Sequence, residues 1–150
     1  MLRAKDIMTR EVITVRPQTT VEELARILME HHIVGAPVVD ETGSLVGIVT
    51  EHDLVNKEKR LHIPTVVQIF DAFIYLESPK KFEDDLRKML GTKVGDICST
   101  HVVTVDEETP VSEIATIMSE TEVHVLPVMK EGRMTGIVGE EDILKALLRG

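Results

Sequence analysis

The 150-residue chain is 43% apolar and 29% charged, an ordinary globular composition that excludes extensive disorder. Its 26 acidic against 17 basic residues leave a net charge of −9, the wrong sign for displacing counterions from a nucleic-acid backbone. The longest uncharged apolar stretch, Ile33 to Val39, is far short of the roughly 20 residues of a membrane span, and the single cysteine, Cys98, excludes a disulfide framework.

The N-terminus has no apolar signal core, so a cytoplasmic protein that contacts neither nucleic acid nor membrane is expected. Val12 to Val15 reads as a short strand. Val21, Leu24, Ala25 and Leu28 then fall at the spacing of an amphipathic helix, opened by a capping box of Thr20 and Glu23. Pro37-Val38-Val39 and Leu45 to Val49 are apolar runs joined by Glu41-Thr42-Gly43-Ser44, a hairpin signal. A second helix starts near Thr50. Residues 56–93 read as a helical linker that holds all four aromatic residues, Phe70, Phe73, Tyr75 and Phe82. Within it an apolar stretch from Val66 to Ile74 is broken by Ser78-Pro79, and Lys80 to Leu90 reads as an amphipathic helix ended by Gly91.

Beyond the linker the same order returns. Val102 to Val105 reads as a strand, and Val111, Ile114, Ala115 and Met118 mark a helix with Thr109 as cap and Pro110 in the first helical position. Pro127-Val128-Met129, a turn at Glu131-Gly132-Arg133 and Met134 to Val138 make a second hairpin, followed by a helix from near Gly139. Val12-Ile13-Thr14-Val15 matches Val102-Val103-Thr104-Val105 at an offset of 90. After a one-residue deletion opposite Thr42, Gly47 to Asp53 matches Gly136 to Asp142. Over 12–55 against 102–144, 18 of 43 aligned pairs are identical, where chance gives roughly 3. The chain is therefore divided into repeat 1 (1–55), linker (56–93) and repeat 2 (94–150). A unit of about 45 residues buries little core alone. An α/β (α+β) fold is predicted, with two β-α-β-β-α repeats packed about a pseudo-two-fold axis.

Asp53 and Asp142 recur at the start of the last helix of each repeat. A carboxylate accepts two hydrogen bonds from a vicinal diol, and a helix N-terminus favours phosphate. Gly47 and Gly136 let a ligand or another backbone approach closely. A plainer reading stands beside this one: Thr50 and Asp53 form a capping box. In repeat 2 the threonine has become Gly139, which offers no hydroxyl. The six histidines make no His-Glu-x-x-His pattern or common zinc spacing, so no metal site is expected. His31-His32 ends a helix and His52 reads as a solvated first-turn residue. No residue set specifies a nucleophile with its base, so no catalytic residue is expected.

The duplicated order carries Ala36-Pro37-Val38 and Leu126-Pro127-Val128 in register, together with the Gly-h-h-Thr-x-x-Asp element at Gly47 to Asp53. On these residues the chain, from about Lys5 to Leu148, resembles a tandem pair of CBS domains, a Bateman module. The resemblance implies an adenosine-containing regulatory ligand, such as AMP, ADP, ATP, S-adenosylmethionine or a cyclic dinucleotide, in clefts between the repeats, and no cofactor. It implies that Asp53 and Asp142 hold ribose and that Thr50 turns its hydroxyl toward ribose or phosphate. Backbone at Gly35, Ala36, Val125 and Leu126 would receive adenine. His124 occupies a position where a basic residue reaches a phosphate in similar proteins; a strand-edge histidine with a hydrogen-bonded partner is the plainer reading, and Val34 is the matching residue of repeat 1. Lys5 and Arg133 are weaker candidates. The resemblance also implies a homodimer.

The function expected is a stand-alone sensor, not an enzyme. It would bind an adenine nucleotide or nucleoside and modulate a separate, unknown protein. The alternative is a ligand-independent protein–protein interaction scaffold, with the linker aromatics packed over the core or forming a partner surface.

Overall fold

The computed structural model describes residues 1–55, 83, 87, 88 and 90–149. The apolar linker stretch, its four aromatic residues and most of Lys80 to Leu90 lie outside the described residues. In the first half a short turn of helix, α1 (Ala4–Ile7), precedes α2 (Val21–His31), the hairpin β1 (Gly35–Val39) and β2 (Leu45–Thr50), and α3 (Glu51–Val55). The second half repeats this as α4 (Val94–Ile97), β3 (Val105–Asp106), α5 (Val111–Thr121), β4 (Val125–Lys130), β5 (Arg133–Gly139) and α6 (Glu140–Arg149).

Local chemistry explains most of these boundaries. The Thr20 hydroxyl accepts the Glu23 N–H at 3.1 Å and opens α2, whose Val21, Leu24 and Leu28 are buried on one stripe. The expected cap of α5 is displaced by one residue. Pro110 itself stands at the cap position, and Thr109 Oγ1 instead accepts the Asp106 N–H at 3.0 Å. Thr19 Oγ1 does the same for Arg16 N–H at 3.0 Å, so this hydroxyl tightens the turn before each helix rather than capping it. In the second hairpin Glu131 and Gly132 have φ of 51° and 80°, the conformation of a two-residue turn whose twist matches the strands.

The opening strands are shorter than their β-rich sequences predict. In repeat 1 only Val15 pairs, parallel to Val38, and in repeat 2 only Val105 and Asp106 pair, with Val128 and Met129. Val15 donates its N–H to the Pro37 carbonyl at 3.0 Å and accepts from Val39 N–H at 2.9 Å. The next rung of that parallel ladder would carry an N–H from residue 37 to the Ile13 carbonyl, and proline has none. Pro127 ends the ladder at Val105 in the same way.

The packing units do not follow the sequence halves. Met8 and Ala4 are buried in the core of Val105, Ile114, Leu126, Val128 and Val138, which belong to repeat 2. Val94 and Ile97 are buried in the core of Val15, Leu24, Val38 and Val49, which belong to repeat 1. Each leading segment is tied across by matching hydrogen bonds. Ala4 N–H donates to Thr109 O and Val94 N–H to Thr19 O, both at 2.8 Å. Thr9 exchanges two backbone hydrogen bonds with Ile137, as Ser99 does with Ile48. Each half thus lends its first helical turn and an added edge bridge to the other.

Candidate functional site: two equivalent clefts

The exchange leaves two clefts between the repeats, each built from three pieces. Cleft 1, of about 460 Å³, has the β5–α6 junction with Gly139 and Asp142 on one wall, and Val34 and Gly35 from the end of α2 and start of β1 on another. Thr9, Glu11 and Ile13 from the N-terminal segment complete it. Cleft 2, of about 490 Å³, has Thr50 and Asp53 at the β2–α3 junction, His124 and Val125 at the start of β4, and Ser99, His101 and Val103 after α4. Thr9, Glu11 and Ile13 stand 90 positions before Ser99, His101 and Val103, so the third wall of each cleft is the same repeat position.

Both aspartates turn back onto their own backbone. Asp53 Oδ2 accepts the Thr50 N–H at 2.9 Å and lies 3.5 Å from the Thr50 hydroxyl; Asp142 Oδ2 accepts the Gly139 N–H at 2.8 Å. This is one arm of a capping box, a charge-assisted bond that orients the carboxylate at the mouth of the cleft. His124 lines both clefts, and its exposed ring pairs through Nδ1 with Glu140 on α6.

The remaining candidates separate. Gly35 and Val125 line clefts, whereas Ala36 and Leu126 are fully buried in the two cores and line neither. Alternation along a strand sends neighbouring residues to opposite faces. Lys5 bonds Glu108 outside both clefts, and Arg133, the exposed first residue of β5, lines neither. Gly47 and Gly136 admit another segment of the chain, not a ligand. A Cβ on Gly47 would lie 2.9 Å from the Ser99 carbonyl oxygen, and one on Gly136 would lie 2.7 Å from Met8 Cγ. His52, expected on a solvated first turn, is exposed and also lines cleft 2. Among the described residues no three His, Cys, Asp or Glu side chains group to hold a metal ion. Nor is any helix there long and apolar enough to cross a membrane.

Sequence reasoning missed the third wall, although a signal existed. Asp6-Ile7 and Asp96-Ile97 are identical at the offset of 90 and extend the duplication upstream of Val12. Lys145, which lines cleft 1 and lies 3.5 Å from Glu141, was also missed. Its only local signal is the i,i+4 spacing of an exposed ion pair.

The family model of the CBS domain matches residues 4–60 and 94–149. The chain belongs to the CBS domain family. It is 34% identical over 146 residues to a CBS domain-containing protein of Dictyostelium discoideum, covering 97% of this chain and 90% of that protein. Among solved structures it resembles CBSX2 in complex with AMP, at 25% identity and a TM-score of 0.72, covering 99% and 98% of the two chains. It also resembles the CBS domain pair of protein MJ0100 in complex with 5′-methylthioadenosine and S-adenosyl-L-methionine, at 27% identity and a TM-score of 0.71, covering 99% and 98%. The mixed α/β architecture of two repeats expected from the duplication is the architecture of these CBS pairs.

Proposed function

We propose that this CBS pair is a regulatory module that binds an adenosine-containing ligand in its inter-repeat clefts and thereby modulates a separate protein. One observation carries the reading: each cleft is lined by an oriented aspartate of one repeat together with residues of the other, in a chain similar to CBS pairs that bind AMP, 5′-methylthioadenosine and S-adenosyl-L-methionine. A ligand that bridges two repeats can shift their geometry, provided it binds one arrangement more tightly than another. The role is binding, with no catalytic step. Exposed Leu144, Leu147 and Leu148 on α6, with Met29 on α2, supply apolar surface for the homodimer that belongs to this reading.

Isothermal titration calorimetry against AMP, ADP, ATP, 5′-methylthioadenosine and S-adenosylmethionine tests the ligand. Saturable binding that is lost in Asp53→Ala or Asp142→Ala, with circular dichroism unchanged, supports the sensor. Sedimentation with and without ligand tests the dimer and its response. The capping bonds favour a second reading, a scaffold whose aspartates only hold helices. Absence of binding at millimolar concentration of every ligand would establish that reading instead.

A further inference from the structure

Each residue that lines cleft 2 has its equivalent in cleft 1, so a difference at those positions is one change of chemistry on a shared frame; His124, Val125, Glu140, Leu144 and Lys145 line cleft 1 in addition. Where cleft 1 presents Glu11, cleft 2 presents His101; where cleft 1 presents Glu141, cleft 2 presents His52. Gly139 of cleft 1 has no polar side-chain atom, and its equivalent in cleft 2 is Thr50; His124, the equivalent of Val34, lines both clefts. One position runs the other way, with His32 in cleft 1 and Glu122 in cleft 2. Glu140 and Asp142 raise the carboxylates lining cleft 1 to four, against two in cleft 2 among the described residues, Asp53 and Glu122.

These differences act on a ligand's charge. The four carboxylates of cleft 1 oppose a phosphate monoester, although Glu11, Glu140 and Glu141 are exposed and solvent screens their repulsion. Two of the four are partnered within the cleft, Glu141 by Lys145 and Glu140 by His124, which offsets this in part. The same field favours a cation. Cleft 2 offers donors from the Thr50 and Ser99 hydroxyls and the His52 and His101 rings, whereas the Thr9 hydroxyl and the His32 and His124 rings of cleft 1 share their cleft with four carboxylates.

We propose that the two clefts divide adenosine ligands by charge. Cleft 2 takes a 5′-phosphorylated adenosine, and cleft 1 takes an uncharged or cationic one, a 5′-thioether or sulfonium. The inference rests on the adenosine-binding reading and adds selectivity to it. A chain built this way responds to the ratio of two ligands rather than to one.

The test is calorimetry on the full chain with AMP, 5′-methylthioadenosine and S-adenosylmethionine, using wild type, Asp53→Ala, Asp142→Ala and the charge exchange His101→Glu. Saturating 5′-methylthioadenosine is expected to leave AMP binding in place. Asp53→Ala and His101→Glu should each weaken AMP by about tenfold or more with little effect on the other two ligands, and Asp142→Ala should do the reverse. His101 is exposed and outside both caps, so His101→Glu separates loss of binding from loss of fold. Competition of AMP and 5′-methylthioadenosine for one site overturns the division while leaving the sensor intact, and so does AMP affinity unchanged in His101→Glu. No heat from any of the three ligands with wild type overturns both.

Discussion

In the first half the residue across the strands from Thr50 is Gly35; in the second the residue across from Gly139 is Val125. A Cβ on Gly35 would lie 2.8 Å from Thr50 Cγ2 and 3.0 Å from the Val49 carbonyl oxygen. A Cβ on Gly139 meets nothing closer than 3.9 Å. One pair is small facing large and the other large facing small. A cross-strand pair keeps a rough total volume, and which strand supplies it is free to drift. The drift has a chemical consequence, because the strand that keeps the larger β2 residue also keeps a hydroxyl at its cleft. The hydroxyl of cleft 2 therefore depends on a glycine that lines cleft 1.

The largest expected effect probes the exchange of segments between the halves. Ile97 is 1% exposed in the core of repeat 1, while its equivalent Ile7 is only partly buried against the core of repeat 2. Ile97→Ala is expected to cost about 3 kcal/mol in urea unfolding and Ile7→Ala roughly half as much. Equal costs would mean that the two borrowed segments are equally important to their host cores. Next, Gly35→Ala should cost about 1–3 kcal/mol through overpacking, while Gly139→Ala should stay within about 0.5 kcal/mol of wild type. Adding Thr50→Ser to Gly35→Ala should recover part of the loss, since it removes Cγ2 but leaves the Val49 carbonyl in place. Asp53→Ala and Asp142→Ala each remove a capping bond, expected to lower thermal stability by about 0.5–1 kcal/mol.

The smallest effect is electrostatic. Lys5 and then Arg3 donate to the Glu108 carboxylate and hold its pKa below the ordinary carboxylate value. Gln18 stands at the equivalent position of repeat 1 and offers no such charge. With the folded pKa lowered, the unfolded chain binds more protons in the acid window. This contribution is present above the ordinary carboxylate pKa and is lost as pH falls through the lowered value. The midpoint difference between wild type and Glu108→Gln in urea should therefore shrink on acidification. It is small even at neutral pH, because the pair is exposed.

Much of this protein was legible from spacing. The helices α2 and α5, both hairpins and the pairing of Asp53 with Asp142 follow from periodicity, turn residues and the 90-residue offset, all of which compare residues at known separations. The opening strands were not legible as they stand. Val12 to Thr14 has strand composition, but a proline on the neighbouring strand, more than 20 positions away, removes the donor its ladder needs. Ala36 and Leu126, two of the four residues expected to offer backbone to adenine, do not line the clefts, for a related reason. Gly35 and Ala36 are adjacent and both buried, and only the way the folded strand turns its two faces decides which one meets the cleft.

The sequence by itself determined the duplication, the order of elements and the family. These depend on short-range stereochemistry and on identities between copies. Which copy each leading segment packs upon was decided only in three dimensions. The contact of Arg3 with Glu108 spans 105 residues, and no local pattern records whether a buried Ile97 will fill its own repeat or the other. That choice follows from where apolar surface is left uncovered once both hairpins and helices have formed. The clefts are what the same choice leaves open.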